Sequence, residues 1–258
     1  MLHVQRVVPS GLHSRLQCRR RTKEVHDLMF YFDPMYLVFA MPALVLALYA
    51  QWKVTSTYNR MSQVPSMIRL TGAEAARRLL DSNRLLTVNL EPTAGELTDH
   101  YDPSAKVLRL SPGVAQSTSI AALGIVAHEV GHAVQDATGY EMMRVRAALV
   151  PAANLGSTLG IWLFILGFAL QITPLAWVGL FAFVAAFLFT VVTLPVELDA
   201  SRRAMAMLTS NHLIASTEYG MAKSVLDAAA LTYVAAVAQA LSQLLYFGFM
   251  LMGGRRRD

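Results

Sequence analysis

Four long apolar runs alternate with polar stretches along the chain. They cover residues 35–52, 155–172, 175–194 and 228–252. A helix needs about 20 mostly apolar residues to cross a bilayer, and each run approaches that length. Pro42 inside the first run is tolerated in a membrane helix. Only Thr173 and Pro174 separate the second and third runs, which therefore predict a tight helical hairpin. The fourth carries Thr232, Gln239, Ser242 and Gln243, which suit one face turned into a bundle. The competing explanation for each run is a buried helix of a soluble core. It is weak for the second and third, with no charge between Arg146 and Glu197, and stronger for the first and fourth. Two polar segments remain, 53–154 and 195–227. Four crossings place both on the same side of the membrane.

The first polar segment has local structure of its own. Thr71-Gly72-Ala73-Glu74 predicts a helix through Asp81, with Thr71 as cap and Glu74 completing a capping box. Residues 87–90 alternate like a short strand, and Asp102-Pro103-Ser104 is a turn. Residues 106–110, KVLRL, alternate again and predict a strand ended by Ser111-Pro112-Gly113. Ser117 or Ser119 then caps a helix running to about Ala137, with Gly139 as its stop.

Composition strengthens the membrane reading. Of 258 residues, 55% are hydrophobic and 15% charged, against about 45–50% apolar and about 25% charged in soluble domains. The net charge is +5, but it is concentrated at one end. Arg6, Arg15, Arg19, Arg20, Arg21 and Lys23 face only Glu24 and Asp27 within residues 1–28. The remainder is near neutral, so no nucleic-acid partner is expected. Residues 1–28 read as upstream sequence ahead of a natural start at Met29 or Met35, rather than as a cleaved signal peptide. Cys18 is the single cysteine. Any metal must therefore be held by His, Asp or Glu.

The candidate chemistry sits in AHEVGHA, residues 127–133. His128 and His132 are four apart, so on a helix their rings leave one face a turn apart. That spacing suits two nitrogens on one tetrahedral Zn²⁺. Glu129 lies on the edge of the same face and can reach a metal-bound water without being a ligand, the H-E-x-x-H logic. The alternative is a pair of hydrogen-bonded core histidines. It fails to explain Glu129, whose buried charge would be costly without a metal or proton partner. Gly124 and Gly131 share one stripe of this helix, either for close packing or as tolerated small residues.

A catalytic zinc takes three protein ligands and keeps one position open. His100, His212 and the carboxylates are available outside the N-terminal segment. Glu197, in PVELDASRRA, is the strongest candidate, because it emerges at the end of the third run on the side where the first polar segment lies. Its competing role is a carboxylate complementing a helix dipole.

The motifs STYNRMSQV, LTGAEAARRLLD, GELTDHYDPSAKVLRLS, VAHEVGHAVQD, ALVPAANLGS, TLPVELDASRRA and LDAAALTYVAA occur in that order. Together they resemble the YugP-type neutral zinc metallopeptidase family over residues 35–252. The site is similar, more distantly, to those of HtpX-like and CAAX prenyl membrane proteases. The resemblance implies a mainly α membrane protein. It would have about four transmembrane helices and a zincin-like metallopeptidase domain with a small β element. Segment 53–154 would carry the HExxH helix and segment 195–227 the third ligand. The implied reaction is endopeptidase hydrolysis. One Zn²⁺ per chain would be held by His128, His132 and Glu197, with Glu129 as general base. Those distant relatives place an aspartate four residues after the ligand glutamate. Here that place holds Ser201, so Asp199 or Ser201 takes the role of bracing a ligand histidine. Tyr233, His100, His212 and Arg202 are candidates to steady the oxyanion, and residues 106–110 could pair with an extended substrate.

Three rivals stand beside this reading, of which a transporter is disfavoured by the lack of charged residues within the spans. A site within a spanning helix is disfavoured, because the apolar run before His128 is only 120–127 and Gln135 and Asp136 follow. A non-catalytic zinc-binding scaffold or chaperone would need a fourth protein ligand, and His100 could serve. The expected partners are a protein or peptide substrate, membrane proteins among them, and the lipid bilayer of a bacterial cell membrane. With the start near Met29, basic residues from Lys53 to Arg146, with Arg202, Arg203 and Lys223, lie on the site's side. Arg255 to Arg257 lie opposite. The positive-inside rule then favours a cytoplasmic site; with residues 1–28 part of the protein, their arginines would hold the N-terminus in the cytoplasm and turn the site outward.

Overall fold

A computed structural model describes residues 34–253; residues 1–28 and Arg255 to Arg257 lie outside that range. Seven helices and three short strands follow one another. They are α1 (Pro34–Met61), α2 (Gly72–Ser82), β1 (Asn89–Pro92), β2 (His100–Asp102) and β3 (Val107–Leu110). After these come α3 (Pro112–Ala115), α4 (Ile120–Ala137), α5 (Glu141–Ala169), α6 (Thr173–Ser210) and α7 (Tyr219–Gly253). Four of them, α1, α5, α6 and α7, are long and apolar enough to cross a membrane.

Each of these helices outruns its apolar stretch. The 38 residues of α6 extend about 57 Å, against a hydrocarbon core about 30 Å thick. α6 therefore continues past the end of the third run, through Pro195, and carries Glu197 and Asp199 on its projecting half. The tight hairpin between α5 and α6 forms as predicted, with its link displaced from Thr173-Pro174. Its link is residues 170–172, with Gln171 at φ 58°, and Pro174 lies in the first turn of α6. Proline has no N–H to lose there and its φ already suits a helix. Small residues draw α5 and α6 together. A Cβ on Gly156 would lie 2.2 Å from the Ala182 carbonyl oxygen, and one on Gly179 2.3 Å from the Phe164 nitrogen. Apolar tails surround both states of a lipid-embedded helix, so association rests on such close backbone packing.

Outside the bilayer helices, α2 and the sheet pack on α4, which lies against the projecting half of α6. Leu79, Leu80, Leu108, Ile120, Leu123, Val130 and Leu208 are fully buried there. The capping box on α2 forms as predicted: Thr71 N–H donates to Glu74 Oε2 at 2.8 Å, and Glu74 N–H to Thr71 Oγ1. Ser119 rather than Ser117 caps α4, accepting from Ala122 N–H at 3.2 Å. Gly139 ends it at φ 64°, with Tyr140 N–H donating back to the Gln135 carbonyl. This is a left-handed turn that glycine adopts without strain. Ser111-Pro112-Gly113, read as a stop, opens the short helix α3.

The sheet order is β1-β3-β2, with β1 parallel and β2 antiparallel to β3. KVLRL therefore forms the central strand, and both its edges are occupied. Substrate pairing on β3 is ruled out for that reason. The edge strand β2, only three residues long, was hidden beside the turn that Asp102 makes by accepting from Ser104.

Candidate metal centre

Helix α4 presents His128 and His132 one turn apart, with ring centroids 4.8 Å from each other. The helix crosses α6 at Gly131, whose Cβ, if present, would lie 2.7 Å from the Ala200 carbonyl oxygen. That close approach brings Glu197 to the histidines. Its Oε2 lies 3.1 Å from His128 Nε2 and 3.4 Å from His132 Nε2. The three residues each offer a ligand atom, all within 4.8 Å of one another, so the group could hold a metal ion.

Hydrogen bonding fixes which nitrogens are free. Gln135 Nε2 donates to the Val196 carbonyl at 2.8 Å and to Asp199 Oδ2 at 2.9 Å. Both are acceptors only, so Gln135 Oε1 is the atom facing His132. His132 Nδ1 must then be the donor across the 2.9 Å contact, and its Nε2 keeps a lone pair pointed at the site. His128 Nδ1 meets Ser201 Oγ at 3.2 Å. A histidine whose outer nitrogen is engaged and whose inner nitrogen is bare is oriented for a metal. The two alternatives for the bracing role therefore both apply. Ser201 touches His128 directly, and Asp199 reaches His132 through Gln135. Arg202 and Arg203 in turn hold the Asp199 carboxylate.

Glu129 stands apart from the ligand group. Its Oε2 accepts the Tyr101 N–H from β2 at 3.0 Å. Burial pushes its carboxyl above the ordinary value, against the pull of both histidines. For His132, burial acts downward, but the bond to Glu197 and the Glu129 charge leave it raised. Four titratable groups thus crowd around one small volume: His128, Glu129, His132 and Glu197.

Residues 36–252 match the family described as "Putative neutral zinc metallopeptidase". The chain belongs to this family. A relative described as "Putative membrane protease YugP", from Bacillus subtilis (strain 168), is 41% identical over 221 residues, covering 86% of this chain and 98% of the relative. No solved structure gives a significant match. The donor set of this metallopeptidase family member suits zinc, which binds imidazole nitrogen and carboxylate oxygen in such three-ligand sites.

A cleft of about 390 Å³ opens on the candidate metal centre. Tyr233, His100 and Tyr101 line it, and so does Arg146, which the sequence reading did not single out. Arg146 Nη1 lies 3.8 Å from Glu197 Oε1, and Tyr233 lines the same cleft as Glu197. The other two oxyanion candidates point elsewhere. His212 sits at φ 52° just past the end of α6, where Leu213 N–H donates to the Leu208 carbonyl. It closes the helix. Arg202 is held by Asp199 and lines a separate groove between α6 and α7. His100 does not join the metal-binding group. Its Nδ1 lies 2.8 Å from the Thr98 carbonyl, and its Nε2 3.5 Å from Arg109. Among the described residues, the group has three members and no fourth protein ligand.

Two features escaped the sequence reading. Gln135 carried a usable signal, lying one turn beyond His132 on the same helix. Arg146 carried none, because its approach to Glu197 depends on how α5 leans on α6.

Proposed function

We propose that the protein is a zinc-dependent endopeptidase working at the membrane surface. The observation that carries this reading is the open three-ligand group of His128, His132 and Glu197, with Glu129 beside it but outside it. One zinc per chain, held by those three residues, would supply Lewis acidity and lower the pKa of a water molecule towards neutrality. Glu129 then acts on protons alone. Tyr101 N–H holds one of its oxygens in place. The carboxylate takes a proton from water as oxygen adds to the scissile carbonyl, and passes it to the leaving amine as the C–N bond breaks. Tyr233 and Arg146, both facing the cleft, are the donors placed to steady negative charge on the carbonyl oxygen. An extended substrate lies along β2, the sheet edge beside the cleft. Protein and peptide substrates fit this arrangement, membrane proteins included. The site faces the cytoplasm of a bacterial cell, in keeping with the basic residues gathered on its side.

The deciding experiment measures zinc per chain in freshly purified protein, alongside Glu129→Gln and Glu197→Ala. The wild type is expected to hold one zinc, Glu129→Gln to keep it, and Glu197→Ala to lose or weaken it. A wild type that binds no metal would overturn the reading.

A further inference from the structure

A second cavity adjoins the cleft at His128 and Glu129. It measures about 230 Å³ and shares four residues with the cleft: Asp99, His128, Glu129 and Tyr233. Its remaining wall is almost wholly apolar. Val54 and Tyr58 come from α1, Ile125 from α4, and Val225, Leu226 and Ala229 from α7. Asp99 does not make it polar, because its carboxylate is taken by Ser111, whose N–H donates at 2.7 Å and whose hydroxyl donates to both oxygens. A dry apolar cavity of about 150 Å³ accepts benzene, so this one has room for an aromatic or long aliphatic side chain.

Its position relative to the bilayer narrows what can enter. Tyr49 and Trp52 are exposed on α1, with rings 5.9 Å apart; such aromatics favour the membrane–water interface. Val54 and Tyr58 follow within about two helical turns. On α6, Glu197 comes three residues after Leu194, where the apolar run ends, a rise of about 4.5 Å. The cavity and the metal centre therefore both sit just above the hydrocarbon boundary, and the cavity lies between two spanning helices.

We propose that this cavity, between α1, α4 and α7, is a specificity pocket. It takes a large apolar side chain next to the scissile bond, from a substrate segment lying at the membrane surface. The pocket rests on the peptidase reading above, and its lining sets which bond is presented to Glu129. Ala229 is the small residue on its wall, and Tyr58 the large one.

The test uses full-length, zinc-loaded protein in lipid nanodiscs and a mixed-sequence peptide library, with cut sites read by mass spectrometry. Wild type is expected to prefer Phe, Leu or Met over Ala at one position flanking the cut by at least tenfold in kcat/KM. Ala229→Leu fills the pocket and should lower that ratio at least fivefold. Tyr58→Ala enlarges it and should shift the preference towards Trp. A flat profile in wild type, or a ratio unmoved by both variants, overturns the pocket. A second readout needs no turnover. L-Phenylalanine hydroxamate should bind zinc-loaded Glu129→Gln protein at least tenfold tighter than L-alanine hydroxamate, and Ala229→Leu should erase the difference. Equal binding of the two overturns the pocket. A library left uncut by zinc-loaded wild type overturns the peptidase reading instead, and the hydroxamate ratio still decides the pocket.

Discussion

Glu129 and Glu197 are two carboxylates a few ångströms from the same histidines, and their surroundings suit them to the different roles proposed for them. Glu197 is buried, with Oε2 3.1 Å and 3.4 Å from the two histidine Nε2 atoms, so its charge faces the proposed ligand group. Glu129 is anchored by a single backbone N–H, which leaves one oxygen free for proton transfer. Replacing it with the isosteric glutamine should keep one zinc per chain and slow peptide hydrolysis by about 10²–10⁴-fold. Undiminished proteolysis in Glu129→Gln would remove Glu129 from that role. Gln135 offers a sharper check on the ligand set. In Gln135→Ala, His132 Nδ1 loses its acceptor and Asp199 loses a donor. Zinc affinity, measured by chelator competition, should fall about 10–100-fold. An unchanged affinity would mean that the chain from Asp199 to His132 does nothing for the metal.

At the scale of elements, the site exists because α4 can lie against α6 without a side chain between them. Gly131 and Gly124 share a stripe, yet their surroundings differ. A methyl on Gly131 would press the Ala200 carbonyl at 2.7 Å, whereas one on Gly124 would meet Val225 at 3.6 Å, an ordinary contact. Alanine is the better helix former by about 1 kcal/mol, but crowding a packed interface costs about 1–3 kcal/mol. Gly131→Ala should therefore lower the thermal midpoint and weaken zinc binding by moving the histidines off Glu197. Gly124→Ala should be neutral or mildly stabilising. Equal behaviour of the two in thermal unfolding would contradict this account of the crossing. The same crossing explains why continuity at Pro195 matters. A rigid helix carries Glu197 out of the bilayer at a set height and angle, which a flexible link could not do.

The whole molecule is a four-helix membrane base with a compact unit on one side. The unit's core is joined to the projecting half of α6, so the candidate metal centre lies close to the bilayer surface. Four crossings return the chain after α7 to the side opposite the site. With the site in the cytoplasm, alkaline phosphatase fused after Gly253 should be active in a bacterial host and a fluorescent protein at the same point dark. The reverse pattern would place the metal centre outside the cell.

Local patterns determined a good deal of this protein. The apolar runs marked the four long helices, because bilayer thickness imposes a length that composition alone reveals. The capping box at Thr71 and the stop at Gly139 were readable because they are contacts between near neighbours in sequence. The spacing of His128, Glu129 and His132 was readable because 3.6 residues per turn places them on one face. Tertiary structure decided what depends on distant segments meeting. It made KVLRL a central strand, since pairing on both sides leaves no mark on five alternating residues. It turned His212 into a helix terminator and Arg202 away from the cleft, and it brought Arg146 in. It joined Asp199 to His132 through Gln135, whose bond to Asp199 spans 64 positions in sequence and exists only where α4 crosses α6.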